Sequence, residues 1–436
     1  MKSLTALSCV ALANAFILPD PRIFEQAAIK NNHRPDQASW WDRVPSKDSI
    51  VNTVDDGIDS LSAHIESALH SLADTVENKF DHLLEEDEVF NEPRPSSKTL
   101  YDIISESEHS TEFAKLVDGY EDIVNVLKST EANHTLFVPT NSAFEHIPKH
   151  KKPGKEVIEA ILKYHVGVGE YDAKRVLRTH TLPTLLNEPF LGDKPQRLRT
   201  SVGLGGVRIN FYAKVVAVNI RAKNGVIHAV NSLIIPPPMV GRELTLLPSQ
   251  FSTLLLAYEK TDFVNFIHGV KSTGTTVFAP SNNAFARLGP KANAFLFNTD
   301  LGLKYLKALL KYQIVANATL YSDAFYRPDD KRDANVMDHY HVDLPTLLDG
   351  KNIAVDVATW GGWSKVKLNG YIPIVVADGV ARNGVIHVPG RVPIPPHKHK
   401  TDDVDGEISV EDLKERLSEY VDDDKKKDAD WLDGEL

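Results

Sequence analysis

The chain has 436 residues, of which 42% are hydrophobic and 25% are charged, so it can form a sizeable core distributed over two or three domains. Its formal net charge is −11, and its only cysteine is Cys9. This composition predicts a globular protein without a disulfide framework, which must obtain its stability from core packing.

The N-terminus predicts a secretory signal peptide over residues 1–15. Lys2 precedes an apolar stretch, and Ala13, Asn14 and Ala15 form a small-x-small cleavage pattern. Pro19 soon follows, and no later segment approaches the ~18 apolar residues that a transmembrane helix needs. We therefore expect a mature chain in the secretory pathway. Because Cys9 would be removed, that chain would have no thiolate nucleophile and no cysteine-ligated metal.

Residues 16–95 form an acidic region that contains a predicted amphipathic helix at about 49–84. Its apolar residues follow a 4-4-3 spacing, an eleven-residue period of ~3.67 residues per turn. The stripe has three candidate partners, namely the body of the protein, a second copy of itself, or a lipid surface. Self-association is the preferred interpretation, because the acidic polar face would repel anionic lipid. The stripe consists of Ile50, Val54, Ile58, Leu61, Ile65, Leu69, Leu72, Val76, Phe80 and Leu83.

The central part of the chain is an internal repeat. "TLFVPTNSAF" at Thr135 to Phe144 matches "TVFAPSNNAF" at Thr276 to Phe285, and "NGVIH" occurs at both Asn224 and Asn383. The matching blocks recur in the same order, which indicates one fold duplicated. The predicted copies span 96–238 and 242–396.

Each copy predicts a mixture of helices and strands, and hence the α+β fold class. Helical periodicity opens both copies, and a short apolar strand follows that is stopped by Pro139 or Pro280. Asn141 or Asn282 is then expected to bond its own backbone and to hold a turn before a helix. A further helix with "LKY" and β-branched runs complete the copy, and Asn-Gly supplies tight turns between strands.

Taken together, these blocks resemble the fasciclin-like (FAS1) domain family. The resemblance rests on Thr-x-Phe-x-Pro-Thr/Ser-Asn-x-Ala-Phe, Leu-x-Lys-Tyr-His and the terminal Asn-Gly-Val-Ile-His, and it covers both copies. It implies two tandem domains, each a β-wedge packed with helices, as found in secreted or membrane-tethered adhesion and matrix proteins.

Tyr164 and His165 are the candidate binding residues that the resemblance implies. In that family a Tyr-His pair flanked by branched apolar residues is linked with adhesion to cell-surface receptors. The alternative is that Tyr164 packs with its hydroxyl satisfied while His165 acts as a cation at a helix C-terminus. The second copy has Tyr312 and Gln313 instead. For His228 and His387 the preferred interpretation is a structural histidine near the end of a strand.

The charge pattern provides a second candidate surface. Residues 46–92 carry 13 acidic and 2 basic side chains and residues 401–436 carry 15 and 5, which leaves the paired domains net basic. Such a body is expected to attract polyanionic glycans, and Lys149, Lys151 and Lys152 lie in one basic turn. No enzyme, dinucleotide or metal motif is present in the sequence, so we expect no catalysis and no cofactor.

Two further features complete the predictions. Asn133-His-Thr and Asn317-Ala-Thr are acceptor sequences for N-glycosylation in polar connections. The tail, 397–436, is acidic and predicts a short capped helix from Ser409 to Val421.

The sequence thus predicts a non-catalytic secreted adhesion protein that binds a cell-surface or matrix protein, or a polyanionic glycan, and that can form a homo-oligomer. We expect no nucleic-acid partner and no transmembrane segment. The alternative function is a lumenal or vacuolar membrane-associated factor that docks through the N-terminal amphipathic helix, with residence in the vacuolar or ER lumen.

Overall fold

The computed structural model describes residues 97–145, 153–203, 206–327, 334–335, 339–360, 363–396 and 408–421. These residues fall into two compact units. Unit 1 contains those of Met1–Val176 and Ser201–Ile235, and unit 2 contains those of Leu177–Thr200 and Pro236–Leu436. The domain limits predicted from the sequence, 96–238 and 242–396, place Leu177–Thr200 in the first copy. In the structure the contacts of this segment group it with unit 2. The predicted domain limits therefore stay a prediction.

Unit 1 begins with helices and ends with strands. Its strands pair in the order β5-β6-β7-β1-β2. Its helices are α1 (Leu100–Glu106), α2 (Thr111–Asp118), α3 (Glu121–Lys128), α4 (Lys155–His165) and the start of α5 (Ala173–Arg178). Its strands are β1 (His134–Pro139), β2 (Val166–Val168), β5 (Gly206–Ile209), β6 (Ala213–Ala222) and β7 (Gly225–Val230).

Unit 2 contains a hairpin of β3 (Thr181–Glu188) and β4 (Lys194–Gly203); the part of β4 after Thr200 belongs to unit 1. It also contains a seven-stranded sheet in the order β13-β14-β15-β16-β17-β8-β9 and a three-stranded sheet in the order β10-β11-β12. Its helices are α6 (Val240–Thr245), α7 (Pro248–Lys260), α8 (Phe263–Gly269), α9 (Asn282–Ala286), α10 (Pro290–Asn298), α11 (Asp300–Tyr312) and α12 (Val410–Val421). Its other strands are β8 (Thr275–Phe278), β9 (Ile314–Ala316), β10 (Thr319–Leu320), β11 (Ala324–Tyr326), β12 (Ala334–Asn335), β13 (His339–Pro345), β14 (Asn352–Trp360), β15 (Trp363–Leu368), β16 (Ile372–Ala381) and β17 (Gly384–Pro389).

The two repeated blocks meet in one parallel strand pair in each unit. In unit 1 the "NGVIH" strand β7 pairs with β1, and Phe137 lies opposite His228. In unit 2 β17 pairs with β8 in the same register, and Phe278 lies opposite His387. Both phenylalanines are fully buried, and both stack on their partner histidine, with ring centroids 5.6 and 5.8 Å apart.

The Asn-Gly pair at the start of each of these strands has two separate tasks. The Asn224 side chain accepts a hydrogen bond from Leu100 N at 2.8 Å and donates to Leu127 O at 2.8 Å, so it joins α1 to the end of α3. The glycine lets the neighbouring strand approach. A Cβ on Gly225 would lie 1.9 Å from His134 O, and one on Gly384 would lie 2.1 Å from Thr275 O.

Two bulges recur where β6 and β16 pair with the "NGVIH" strands. They place Asn219 and Asp378 in the left-handed region, with φ of 58° and 63°. Each side chain then accepts a hydrogen bond of 2.7 Å from a backbone N–H, that of Ala173 or Ser322. The bulges therefore anchor a polar side chain to a connecting segment in both units.

The predicted role of the turn asparagines was wrong in one respect. The Asn141 side chain bonds the beginning of α2 and not its own turn, because it accepts from Glu112 N at 3.1 Å and donates to Glu108 O at 2.8 Å. Glu112 is the second residue of α2, whose N–H has no intrahelical partner, and Asn141 satisfies it.

Asn282 bonds the neighbouring helix in unit 2. Its side chain accepts from Thr253 N at 2.9 Å. It also donates to Ser249 O and so replaces one intrahelical hydrogen bond of α7 on both sides.

Other predicted elements are confirmed. The α+β class, the early helices and the Asn-Gly turns are present, and α12 begins after Ser409, whose hydroxyl accepts from Asp412 N at 3.0 Å. The β-branched run predicted over residues 207–220 is two strands, because Asn210 and Phe211 adopt positive φ of 49° and 68° and form a turn. The predicted signal peptide and the N-terminal amphipathic helix lie outside the described residues.

The buried strand pair generates a stability prediction. Truncation of Phe137 to Ala should lower the free energy of unfolding of unit 1 by about 3–5 kcal/mol, because it leaves a cavity beside His228. Val168→Ala, at a side chain that is 41% exposed, is the control and should change little. Hydrogen exchange of the β1 and β8 peptides measures the units separately. An equal loss of protection in both peptides would contradict independent folding.

Candidate functional site

Tyr164 and His165 are the last two residues of α4, and both side chains are completely buried. The Tyr164 hydroxyl accepts a hydrogen bond from Asn210 Nδ2 at 2.7 Å. His165 donates from Nδ1 to Ile161 O at 2.8 Å and accepts at Nε2 from Ile234 N at 3.0 Å. This network joins the end of α4 to the turn before β6 and to the chain after β7.

The environment of His165 keeps its ring neutral at pH 7. Burial lowers the pKa of His165 to about 4, against a smaller opposing effect of the hydrogen bond to Ile161. The packing alternative therefore describes Tyr164 well, whereas the expectation of a cation at the helix C-terminus was wrong. The receptor-binding role of the pair stays a prediction, and in this conformation both side chains belong to the core.

The equivalent residues of unit 2 are buried as well. Tyr312 is fully buried, and its hydroxyl accepts from Asn369 Nδ2 at 3.0 Å. Gln313 is 2% exposed, and its backbone carbonyl accepts from Phe278 N at 2.9 Å. Glutamine therefore occupies a core position in unit 2 that histidine occupies in unit 1, which provides a natural substitution for experiment.

The histidines of the two "NGVIH" strands also have structural roles. His228 donates from Nε2 to Tyr171 O at 2.8 Å, and His387 donates from Nε2 to Leu320 O at 2.7 Å. Both are 1% exposed, and burial lowers the pKa of each. The two rings thus bind the same strand to the segment that follows β2 in unit 1 and β9 in unit 2, in line with the structural interpretation from the sequence.

Burial of neutral histidine makes the stability of unit 1 dependent on pH. The folded pKa of His165 lies below the unfolded value of about 6.5, so the unfolded state takes up the proton first as the pH falls. Stability is then lost as the pH falls from about 6.5 to about 4. Between pH 7 and pH 5 the free energy of unfolding of the wild type should fall as the pH falls, and in His165→Gln this fall should be smaller, because one histidine no longer takes up a proton on unfolding. Urea denaturation at each pH measures the free energy of unfolding. An unchanged slope would contradict this assignment.

Unit 2 contains a buried ionic cluster that sequence analysis did not identify. Arg197, on β4, donates from Nε to the Tyr326 hydroxyl at 2.7 Å and from Nη1 to Thr181 O at 3.0 Å, and Nη1 lies 3.7 Å from Asp323 Oδ1. Asp323 accepts in turn from the backbone N–H groups of His180 and Thr181, at 3.1 and 2.7 Å. This cluster holds the β3–β4 hairpin to the segment around β11.

The two charges of the cluster are balanced differently. Burial lowers the pKa of Arg197, but the neighbouring Tyr326 and Asp323 outweigh that effect and raise its pKa above the usual value. Burial raises the pKa of the Asp323 carboxyl, while the Arg197 guanidinium opposes that rise. Arg197 also lies over the rings of Tyr321 and Tyr326, at 5.5 and 5.3 Å from their centroids. No local signal in the sequence could have found this pair, because its members lie 126 positions apart and neither belongs to a repeated block.

Removal of the Arg197 charge should destabilise unit 2 strongly. Arg197→Met leaves the partly buried Asp323 carboxylate without its counter-charge. Breaking a fully buried pair costs about 3–5 kcal/mol, and the partial exposure of Asp323 places the expected loss at or below about 3 kcal/mol. Lys271→Met, which removes one exposed charge from the same unit, should change the free energy of unfolding by less than about 0.5 kcal/mol. The two variants are compared by denaturant unfolding followed by tryptophan fluorescence, because Trp360 and Trp363 lie in unit 2. Equal effects would contradict a stabilising role for the pair.

The structure describes only one lysine of the predicted basic turn, Lys155. Lys149, Lys151 and Lys152 lie outside the described residues, so their role stays a prediction. Lys155 is exposed at the start of α4, and on the same helix Lys163 forms a partly exposed ion pair with Glu159 at 2.6 Å. A pair of this kind contributes little to stability, so the lysines of this helix are free to be used at a surface.

Both predicted glycosylation sites are exposed. Asn133 donates from Nδ2 to Glu170 Oε2 at 3.0 Å, and the Asn317 side chain accepts from Thr273 N at 2.9 Å. The hydroxyls of the acceptor threonines face inwards, since Thr135 and Thr319 are almost completely buried. Glycosylation of both sites therefore stays a prediction with an accessible asparagine at each.

Mass spectrometry tests the glycans directly. The chain secreted from a eukaryotic host should lose mass after enzymatic release of amide-linked glycans, and Asn133→Gln and Asn317→Gln should each remove one glycan. The asparagines are the right residues to change, because substitution of Thr135 would also break its buried hydrogen bond to Gly169 O. An unchanged mass after glycan release would rule out both sites.

Within the described residues, the structure shows no group of His, Cys, Asp and Glu side chains that could hold a metal ion. A search of the same residues found no helix with both the length and the apolarity to cross a membrane.

Comparison with known proteins agrees with the fold. A model of the fasciclin domain matches residues 108–236 and 249–395, and the chain therefore belongs to the fasciclin domain family. It is similar to the aurofusarin biosynthesis cluster protein S of Gibberella zeae, with 28% identity over 77% of this chain and 89% of that protein. It is also similar to stabilin-2 of Rattus norvegicus, with 31% identity over 42% of this chain and 13% of that protein.

Two further similarities involve insect proteins. Fasciclin-1 of Schistocerca americana is 25% identical over 60% of this chain and 40% of that protein. Among solved structures, a FAS1 domain pair from the insect cell adhesion molecule fasciclin I covers 66% of this chain and 96% of its own, with a TM-score of 0.31 and 16% identity.

Proposed function

We propose that this protein is a non-catalytic adhesion protein of the secretory pathway or the extracellular space, which uses its two fasciclin domains to bind a cell-surface or matrix partner. The observation that carries this proposal is the burial of the polar motif residues in both units. Tyr164, His165, His228 and His387 are all 1% exposed or less, and each ring or hydroxyl is engaged in a hydrogen bond. Contacts with a partner are therefore made by the charged surface of the domains.

The chemistry of that surface favours an anionic partner. The two acidic flanks leave the body between them net basic, and the turn with Lys149, Lys151 and Lys152 precedes the exposed Lys155. A concentration of positive charge on a folded body attracts polyanions and accelerates their association. We therefore propose a polyanionic glycan, or a surface protein that carries one, as the partner.

Binding to an immobilised sulfated glycan tests this function. The mature chain should be retained at low salt and released as salt rises, because screening lengths shrink from ~10 Å at 0.1 M to ~3 Å at 1 M. Lys149→Glu with Lys151→Glu and Lys152→Glu should be released at clearly lower salt. The matched control reverses Lys260, Lys271 and Lys291, three exposed lysines of unit 2. No retention of the wild type, or equal effects of the two triple variants, would contradict the proposed surface.

A second candidate function follows from one comparison. The aurofusarin biosynthesis cluster protein S is similar to this chain over 89% of its own length, and the similar region of 367 residues is longer than the two family matches together. On this alternative, the two domains bind enzymes of a biosynthetic assembly instead of a cell surface. Cross-linking of the secreted chain in its native host, followed by mass spectrometry of the partners, separates the two functions. Enzymes among the partners favour the alternative, and surface proteoglycans favour the first.

The alternative of a membrane-associated lumenal factor depends on the N-terminal amphipathic helix, which lies outside the described residues. Flotation of the mature chain with liposomes, with and without residues 46–92, distinguishes it from the adhesion function. Flotation that needs this segment would support membrane docking.

A further inference from the structure

Three buried polar side-chain atoms of unit 2 lie around the Tyr326 ring and have no hydrogen-bond partner among the described residues. They are Lys194 Nζ, Thr319 Oγ1 and Tyr321 Oη. Buried polar groups in folded proteins are almost always paired, and those that are not paired within the protein commonly bind a water molecule or an ion. Three such atoms around one ring therefore indicate a binding site.

The two hydroxyls lie on one face of the β10–β11 ribbon. Thr319 is opposite Tyr326 in the antiparallel register, and Tyr321 N donates to Ala324 O at 2.8 Å, so the pairing continues past β10. Residues two apart on a strand face the same side, which places Thr319 and Tyr321 on the face that carries Tyr326. The rings of Tyr321 and Tyr326 meet edge to face, with centroids 5.6 Å apart.

The third atom comes from the β3–β4 hairpin. Lys194 is the first residue of β4, and its Nζ lies 4.8 Å from the centroid of the Tyr326 ring. The face of a ring attracts an ammonium, but this attraction is weaker than the cost of removing the ammonium from water. An ammonium also has three N–H donors to satisfy. Lys194 therefore needs an acceptor in addition to the ring.

No side chain among the described residues supplies a counter-charge to Lys194. The three arginines of this region each have a carboxylate as electrostatic partner, whereas Lys194 has no ion pair within the part of the chain that the structure describes. Since these pairs balance, the positive charge of Lys194 remains, and an anion would neutralise it. The pairs are Arg197 with Asp323, Arg199 with Asp378, and Arg382 with Glu188, which lies opposite Lys194 on β3.

We propose that unit 2 binds one small monovalent anion, such as chloride, between Lys194 Nζ and the hydroxyls of Thr319 and Tyr321. The ammonium supplies the charge, and the two hydroxyls donate hydrogen bonds. Burial raises the pKa of the Tyr321 hydroxyl well above its ordinary range, so this hydroxyl stays protonated and can donate. Because all three atoms are enclosed, a polyanionic glycan does not fit here. The site is thus separate from the proposed adhesion function.

The anion would connect two elements that are distant in the sequence. It would bind the β3–β4 hairpin through Lys194 and the β10–β11 ribbon through the two hydroxyls. The hydrogen bond of 2.7 Å from Arg197 Nε to the Tyr326 hydroxyl joins the same two elements directly. Because these groups come together only in the folded state, the anion binds that state, and its concentration sets the stability of unit 2.

Unfolding of the full chain at different chloride concentrations tests the site. Gluconate, a larger organic anion, replaces chloride so that the ionic strength stays constant. The ratio of folded to unfolded unit 2 should rise severalfold between ~10 and ~100 mM chloride, with about tenfold as the limit for one bound ion. Denaturant unfolding followed by tryptophan fluorescence measures this ratio. Equal stability of the wild type in chloride and in gluconate would overturn the proposal.

Matched variants separate the site from general effects of salt. Lys194→Met should abolish the dependence on chloride, whereas Lys271→Met, at an exposed lysine of the same unit, should keep it. Tyr321→Phe removes one donor and keeps the ring, so it should shift the dependence to higher chloride. This variant decides the question if Lys194→Met does not fold. A wild-type dependence on chloride that persists unchanged in Tyr321→Phe and in Lys194→Met would contradict the proposed site.

Crystals grown in bromide locate the ion directly, because bromide scatters anomalously and water does not. We expect an anomalous peak within hydrogen-bond distance of Lys194 Nζ and of at least one of the two hydroxyls. A water molecule without anomalous signal at this position would show that the three atoms bind solvent, and would overturn the proposal.

Discussion

The parallel pairing of the "NGVIH" strand with the strand of the preceding repeated block is the contact on which each unit depends. At its start, Gly225 and Gly384 allow backbone contact with His134 and Thr275 that no other residue type would permit. Along its length the strand is buried on both faces, as expected for parallel strands inside a domain. Because the register is the same in both units, the duplication conserves this contact together with its side chains.

The polar residues of the core follow from this pairing. In a central strand with apolar neighbours on both faces an unpaired polar group is costly, and the histidine near its end finds a partner for Nε2 in both units, although Nδ1 of His228 has none among the described residues. His228 and His387 find it in a backbone carbonyl of the connecting segment, while Asn219 and Asp378 satisfy the N–H groups of nearby residues. The motif therefore encodes a hydrogen-bonded core.

Much of the fold could be predicted from the sequence because the duplication displays the repeated blocks twice. The repeated blocks gave the strands, the Asn-Gly turns gave the hairpins, and the spacing around Ser409 gave α12. The candidate site was harder, because burial is a tertiary property: nothing local distinguishes a buried Tyr164 from an exposed one. The ion pair of Arg197 and Asp323 was invisible for the same reason, and the left-handed turn at Asn210 was hidden within a β-branched run.

The most direct test of the central contact is hydrogen exchange in β1 after a single methyl is added. Gly225→Ala places a Cβ against His134 O, and we expect the β1 amides to lose most of their protection. Gly119→Ala is the control in the same unit, because Gly119 has a φ of −74° and its Cβ would only make an ordinary contact at 3.4 Å. We expect β1 to keep its protection in the control. Equal protection of β1 in the two variants would contradict the account.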